Sequence, residues 1–214
     1  MGSRRHSITI VGCGPGSPDY VTPAAQAAVA QADVLIGAGR LLGLFPDDNG
    51  VRIELGANIS DALDRLESLL ENRNVAVLVT GDPGLFSLSK LVIARVGRDR
   101  CRIIPGVSSM QVAFARIGLD WADAKILSAH KEDPPDTPAL KHQDKVAVFC
   151  GRDGSFEWIA RHVLGRETTD RRVFVMENLT LADERVREVA PHELAGVKAG
   201  SRTIVVIVRE GLIE

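Results

Sequence analysis

The sequence predicts an α/β protein built from two α/β domains with an active-site cleft between them. Short apolar runs stop abruptly at glycine and proline, most clearly at residues 8–11 and 75–79, and helical patterns follow them. Apolar runs of this length are typical of buried strands, and their alternation with helices indicates a parallel sheet. The alternation resumes after residues 118–124. We therefore expect one domain at residues 1–120 and a second at 121–214, with the ligand site between them.

The first domain is expected to begin with a strand, a glycine loop and a helix. Residues 8–11 form the strand, and the loop Gly12-Cys13-Gly14-Pro15-Gly16 ends it. Thr22-Pro23 follows, and threonine as N-cap with proline in the first turn indicates a helix start. Further strands are predicted at residues 33–37, 75–79 and 102–104, and further helices at 59–72, 85–96 and 108–117.

The second domain shows the same alternation of strands and helices. Its last strand, residues 203–208 (TIVVIV), is wholly apolar and is therefore expected to be buried. Other strands are predicted at residues 125–129, 146–150, 172–176 and 185–189, and helices at 155–164 and 191–194.

Composition excludes several classes of function. The chain has 214 residues, of which 45% are hydrophobic, so it can bury a sizeable core. Its formal net charge of −2 does not indicate binding to nucleic acid or to an anionic membrane, which basic surfaces favour. No apolar run approaches the roughly 18 residues of a membrane span. Cys13, Cys101 and Cys150 are widely spaced, so neither a disulfide scaffold nor a metal site is expected, and the cytoplasm is the natural compartment.

The first glycine loop fits a dinucleotide site poorly. Its spacing is GxGxG rather than GxGxxG, and the helix begins only near Pro23. Pro15 also lacks the backbone N–H that a phosphate cradle would use. A structural turn without a ligand and a loop that contacts another adenosine-type ligand both remain open.

Two further loops carry candidate polar groups. Asp82 follows the strand at residues 75–79 directly, where its carboxylate would accept hydrogen bonds from a ligand or stabilise its own turn. Ser108 either contacts a ligand or forms a capping box with Gln111. No nucleophile motif such as Gly-x-Ser-x-Gly is present, so nothing indicates covalent catalysis. The residues alone favour a small-molecule enzyme and do not identify its reaction.

Taken together, these loops resemble those of the tetrapyrrole methyltransferases, which use S-adenosylmethionine. The matching segments are residues 11–18 (VGCGPGSP), 81–83 (GDP) and 105–109 (PGVSS), in the family's order and spacing. Other segments look like the branch of the family that methylates C5 of precorrin-7 or its cobalt form in cobalamin biosynthesis. These segments are residues 39–42, 111–119, 121–124, 157–160 and 177–179.

The resemblance implies a homodimer with S-adenosylmethionine folded into the inter-domain cleft. Asp82 is expected to orient the cofactor or the substrate rather than to abstract a proton. The sequence departs from the family at His130-Lys131-Glu132, where relatives often have His-Gly-Arg, and at Thr80, where many have glycine. Carried over by position, the cofactor contacts are Pro15, Gly81, Asp82, Ser108, Ser109, Cys150, Asn178, Leu179 and Thr203.

The implied substrate carries many carboxylates, so arginines are candidate substrate contacts. We single out Arg40, Arg116 and Arg152. A sibling methyltransferase acting on another carbon, a nicotinamide oxidoreductase and a non-catalytic binder of an adenosyl ligand are the alternatives. A decarboxylation and a second methylation, at C15, are often coupled to this step. A separate decarboxylating C15-methyltransferase is a candidate partner for these steps, since no second catalytic domain fits in 214 residues once the two α/β halves are counted.

Overall fold

The computed structural model describes residues 8–56, 66, 69, 73–135, 138–152, 154–164, 170–198 and 200–213. The chain divides into two compact units, Met1–Ser108 and Ser109–Glu214. The helix at Ser109–Arg116 groups with the second unit because it packs on the strand at Thr203–Arg209. The sequence prediction, with its boundary at residue 120, had assigned this helix to the first domain.

The first unit contains the parallel sheet that the alternating pattern predicted. All neighbouring strands run parallel in the order β3-β2-β4-β1-β5. Because the strands are parallel, the loops after β1, β4 and β5 emerge at one edge of the sheet. The strands are β1 (Ile8–Gly12), β2 (Val34–Gly37), β3 (Val51–Glu54), β4 (Val75–Val79) and β5 (Cys101–Ile104).

The first helix begins where its capping residues predicted. The Thr22 hydroxyl accepts a hydrogen bond from the Ala25 backbone N–H at 3.1 Å, and Pro23 occupies the first turn. The helix predicted at 59–72 lies largely outside the described residues. The helices whose bounds the structure describes in this unit are α1 (Pro23–Val29), α2 (Gly39–Leu42) and α3 (Ser89–Val96), with short 3₁₀ turns at Pro18–Tyr20 and Arg98–Arg100.

The second unit has a mixed sheet and is not a copy of the first. Its order is β6-β7-β10-β8-β9, in which only β6 and β7 pair in parallel and the other three pairs are antiparallel. The buried strand β10 lies at the centre of this sheet. The strands are β6 (Lys125–Ser128), β7 (Lys145–Cys150), β8 (Arg171–Glu177), β9 (Arg185–Val189) and β10 (Thr203–Arg209).

The helices of the second unit are short. The segment predicted as one helix over 155–164 is an α-helical turn that continues as a π-helical one. Within the described residues, no helix is both long and apolar enough to cross a bilayer. The helical elements are α4 (Ser109–Arg116), α5 (Ser155–Ile159), the π-helix Ala160–Leu164, and 3₁₀ helices at Pro138–His142 and Pro191–Gly196.

Arg171 is a buried cation that ties β8 to the loop before β7. Its guanidinium donates to the carbonyl oxygens of Gln143 and, at 2.7 Å, Lys141. We expect Arg171→Ala to lower the free energy of unfolding by about 2 kcal/mol, because two carbonyls lose their donor. Arg209→Ala, which removes an exposed partner of Asp144, should cost less than about 1 kcal/mol. Urea denaturation of the two variants tests this, and equal losses would contradict it.

Candidate functional site

The glycine loop after β1 is hydrogen-bonded to the loop after β4. The Cys13 N–H donates to the Val79 carbonyl at 2.9 Å, and the Gly81 N–H donates to the Gly14 carbonyl at 2.8 Å. Gly81 has a φ of +67°, a left-handed conformation that favours glycine. These bonds extend the pairing of β1 and β4 beyond the sheet and hold the two loops side by side.

The loop after β5 packs directly on the other two, backbone against backbone. A Cβ atom added to Gly106 would lie 2.4 Å from the Gly81 carbonyl oxygen. One added to Gly12 would lie 2.6 Å from the Gly106 nitrogen. No side chain fits at either position, so glycine is required where the three loops meet.

Asp82 joins two of these loops through its carboxylate. One oxygen accepts the Gly84 N–H at 2.7 Å, within its own turn. The other accepts the Gly106 N–H at 3.1 Å, in the loop after β5. Asp82 thus stabilises its own turn, which is one of the two roles that the sequence analysis left open. The tie to Gly106 was not predicted, since no sequence signal pairs residues 82 and 106.

The other candidate residues of the first unit lie around this junction. Pro15 is buried in the first loop, and Ser108 is buried in the third, with 4% of its surface exposed. A Cβ atom on Gly81 would lie 3.7 Å from the Cα atom of Ser108. The first unit therefore brings Pro15, Gly81, Asp82 and Ser108 to one edge of its sheet. Ser109, the first residue of α4, is half-buried.

In the second unit, the candidate residues lie at the ends of three adjacent strands. Cys150 ends β7 and pairs in register with Thr203, the first residue of β10. Thr203 in turn pairs with Glu177, which ends β8 immediately before Asn178 and Leu179. The Thr203 hydroxyl donates to the Gly200 carbonyl at 2.7 Å. The positions carried over from the family thus form one continuous row at an edge of this sheet.

The turn after β8 has an uncommon backbone. Asn178 has a φ of +50° and Thr180 a φ of +72°. A positive φ is tolerated by asparagine and is unfavourable for a β-branched threonine. The Asn178 N–H donates to the Arg202 carbonyl at 3.0 Å, and Leu179, which lies between Asn178 and Thr180, is buried. Nothing in the sequence signalled strain at Thr180.

The thiol of Cys150 stays protonated at this edge. Burial raises its pKa to about 12, and burial likewise raises the pKa of Cys13 in the first glycine loop to about 12. A free cysteine ordinarily has a pKa near 8.5. Cys150 therefore contributes a neutral, polarisable surface and not a nucleophile.

Alkylation of the native protein should be confined to Cys101. At pH 8 Cys13 and Cys150 are almost wholly thiols and are buried, whereas Cys101 is half-buried. Iodoacetamide labelling followed by mass spectrometry tests this. All three cysteines should label in guanidinium chloride, and labelling of native Cys150 as fast as Cys101 would contradict the assignment.

The three candidate arginines lie on separate elements. Arg40, in α2, donates to the hydroxyl of Thr80 at 2.6 Å, next to Gly81. Arg116, at the end of α4, makes two bonds to the Glu184 carboxylate, at 2.6 and 3.1 Å. Arg152 pairs with Asp133. Arg40 thus lies beside the loops of the first unit, and Arg116 and Arg152 belong to the second unit.

Comparison with known proteins identifies the family of the chain. Residues 7–195 match the family of Tetrapyrrole (Corrin/Porphyrin) Methylases. A cobalt-precorrin-7 C(5)-methyltransferase of Salmonella typhimurium is 34% identical over 84% of this chain and 88% of its own. A probable enzyme of the same name from Methanocaldococcus jannaschii is 31% identical over 88% and 91%.

Solved structures have the same fold. The precorrin-6Y methylase of cobalamin biosynthesis from Archaeoglobus fulgidus has a TM-score of 0.74 at 28% identity, and the match covers 96% of this chain and 99% of that one. A uroporphyrin-III C-methyltransferase from Thermus thermophilus, complexed with S-adenosylhomocysteine, has a TM-score of 0.74 at 22% identity, over 94% and 92% of the two chains. From its sequence, its two sheets and these matches, this chain belongs to the tetrapyrrole (corrin/porphyrin) methylase family.

Proposed function

We propose that the protein transfers a methyl group from S-adenosylmethionine to C5 of precorrin-7 or of its cobalt form, in cobalamin biosynthesis. The observation that carries the proposal is the junction of three glycine loops at the carboxyl ends of β1, β4 and β5. Ligands of open parallel sheets bind beyond the carboxyl ends of the strands. Near-full-length similarity to C5-methyltransferases supports the choice of substrate.

The residues at the junction fit S-adenosylmethionine better than a dinucleotide. Because Gly12 and Gly106 have no Cβ atom, the three loops pack backbone against backbone and form one continuous surface at the edge of the sheet. Buried Ser108 adds a hydroxyl, and Pro15 adds an apolar surface. We propose as cofactor contacts Pro15, Gly81, Asp82, Ser108 and Ser109 in the first unit, and Cys150, Asn178, Leu179 and Thr203 in the second.

The cofactor supplies an activated methyl group on a sulfonium sulfur, so the residues of the chain act mainly by orientation. Holding the acceptor carbon in line behind that methyl can lower the barrier by several kcal/mol, up to about 7–11 in ideal cases. Excluding water protects the reacting pair. The rigid backbone junction and the neutral Cys150 thiol suit these tasks, and the transfer itself requires no strong general base.

Arg40 is the arginine best placed for a substrate carboxylate. Its guanidinium donates to the Thr80 hydroxyl at the start of the Gly81–Asp82 turn, beside the three glycine loops. Arg116 and Arg152 belong to the second unit, where they pair with Glu184 and Asp133.

Turnover with a labelled methyl donor tests the proposed function. The protein is incubated with methyl-¹³C S-adenosylmethionine and cobalt-precorrin-7 or precorrin-7, and the new methyl is located by NMR. We expect it on C5. A methyl on another ring carbon would make the protein a sibling enzyme, and cofactor binding without transfer would make it a binder. Calorimetry that detects NAD and not S-adenosylmethionine would favour an oxidoreductase.

Replacing Arg40 should separate substrate binding from cofactor binding. We expect Arg40→Ala to raise the KM for the tetrapyrrole about tenfold, which is the loss of about 1.4 kcal/mol of binding, and to leave the Kd for S-adenosylmethionine unchanged. Arg98→Ala, an exposed arginine in the turn before β5, serves as the control. Steady-state kinetics and calorimetry give the two constants, and equal tetrapyrrole KM values in the two variants would contradict the role.

We also propose that the protein works as a homodimer in the cytoplasm, with a separate enzyme for the decarboxylation and methylation at C15. The support is the family resemblance described above. Light scattering on the purified chain should give twice its mass of 23.0 kDa.

A further inference from the structure

The turn between β8 and β9 adopts a conformation that its own residues do not favour. Asn178 and Thr180 both have positive φ values, +50° and +72°. A threonine in this region carries a strain of order 1–3 kcal/mol, and such strain persists only where surrounding contacts enforce it. The contacts of this turn should therefore show which residues keep Thr180 at a positive φ.

Glu184 contacts the strained residue, Thr180, directly. One of its carboxylate oxygens accepts the Thr180 N–H at 2.5 Å, a charge-assisted bond to the backbone. The same carboxylate accepts two bonds from Arg116, Nε at 2.6 Å and Nη2 at 3.1 Å. Because Arg116 ends α4, Glu184 connects that helix to the turn at residues 178–180.

The ion pair with Arg116 keeps the Glu184 carboxylate ionised, so that it can accept the Thr180 N–H. The hydrogen bond from Arg116 lowers the pKa of Glu184, so the side chain is ionised at neutral pH and accepts only. Asn178 is held independently, since its Nδ2 donates to Asp183 at 2.7 Å. Removing Glu184 would thus take the carboxylate bond from Thr180 and leave the Asn178–Asp183 bond in place.

We infer that Glu184 is a positioning residue, which acts through the turn at residues 178–180 to set the affinity for S-adenosylmethionine. The inference rests on the proposed function, in which Asn178 and Leu179 contact that cofactor. It also gives Arg116 a different task from the one the sequence predicted. Arg116 fixes the carboxylate of Glu184, and a substrate carboxylate is not its main partner.

An ion pair between β8 and β9 provides a matched control. Glu188 in β9 accepts two bonds from Arg172, at 2.8 and 2.9 Å, and is exposed. The bond from Arg172 lowers the pKa of Glu188, as Arg116 does for Glu184. Glu188 lies within a strand and not beside the turn, so its loss measures the effect of an ion pair alone.

The experiment measures the Kd for S-adenosylmethionine by calorimetry in the full chain and its variants. We expect Glu184→Ala to raise this Kd about tenfold, whereas Glu188→Ala should stay within about twofold of wild type. Glu184→Gln keeps an oxygen that can accept the Thr180 N–H, so it should recover most of the affinity. At saturating cofactor, kcat of Glu184→Ala should stay within about twofold of wild type, because a positioning residue for the cofactor affects binding.

The outcomes separate the inference from the function on which it rests. If wild type binds S-adenosylmethionine and Glu184→Ala binds it equally well, the inference is wrong and the function stands. If wild type does not bind it, the proposed function itself fails. If Glu184→Ala does not fold, Arg116→Ala replaces it with Arg172→Ala as control, and an unchanged Kd in Arg116→Ala would then overturn the inference.

Discussion

A Gly106→Ala variant is expected to lose methyl transfer by roughly 100-fold. The added Cβ would lie 2.4 Å from the Gly81 carbonyl oxygen and 2.7 Å from the backbone of Gly12, so the loop after β5 must move away from both neighbours. A displacement of about 1 Å at a site that works by orientation costs roughly that factor. Forcing a methyl group into such tight packing should also lower the free energy of unfolding by about 1–3 kcal/mol.

A matched variant separates this effect from the general cost of a methyl group. A Cβ atom on Gly56, in the same unit, would meet nothing within 4 Å, so Gly56→Ala should keep wild-type turnover and stability. Gly12→Ala should resemble Gly106→Ala, because its Cβ meets the same backbone from the other side. Turnover and urea denaturation are measured for all three variants. A Gly106→Ala enzyme with wild-type kcat and Kd would show that the loop junction is not the site.

Much of the fold was predictable from the sequence, because the buried strands carry their signal locally. The predicted strands at residues 75–79 and 185–189 match β4 and β9 to the residue. β3 (Val51–Glu54) was missed, since three of its four residues are exposed and two are charged. No apolar run or clean alternation identifies such an edge strand.

The sequence did not predict which strands of the second sheet pair in parallel and which pair antiparallel. β7, β8 and β10 are apolar runs of similar length, and such runs do not encode whether their neighbours are parallel. Whether β10 pairs in parallel or antiparallel with its neighbours depends on how its connections bring it to the centre of the sheet. Those connections are set by the fold of the whole unit.

The parts of the candidate site that consist of sequence motifs were predictable. The parts that depend on contacts between residues distant in sequence were not. The three glycine loops were identified from their residues. Cys150, Thr203 and Asn178, which were carried over from the family by position, lie at the ends of adjacent strands. The bonds of Asp82 to Gly106 and of Glu184 to Thr180 were not foreseen. Both join residues whose proximity depends on the folded chain, so no spacing rule predicts them.

An Asp82→Ala variant is expected to lose about 100-fold in affinity for S-adenosylmethionine. The carboxylate accepts the N–H groups of Gly84 and Gly106, at 2.7 and 3.1 Å, and alanine leaves both donors without this partner. A hydrogen bond to a charged group contributes about 1.5 kcal/mol or more, so two of them amount to roughly 100-fold if the whole loss falls on binding. Calorimetry with the cofactor measures the loss.

Asp48→Ala is the matched control. Asp48 makes the same local bond, from the Gly50 N–H at 2.8 Å, but it lies in the turn before β3, at the opposite edge of the sheet. Its replacement should lower stability by about 1 kcal/mol and leave the cofactor Kd unchanged. Comparing Asp82→Ala with Asp48→Ala separates the effect of losing the Asp82–Gly106 bond from the effect of losing a bond within a turn.

Asp82→Asn distinguishes two ways in which the carboxylate could act. If Asp82 works by joining the loops, the amide oxygen still accepts one of the two N–H groups, and the Kd should fall between those of wild type and Asp82→Ala. If Asp82 works through its charge on a cationic group of the ligand, the asparagine should be as weak as the alanine, because the charge is absent from both. Wild-type turnover and affinity in Asp82→Ala would contradict both roles, and the junction would then depend on the backbone contacts of Gly12, Gly81 and Gly106 alone.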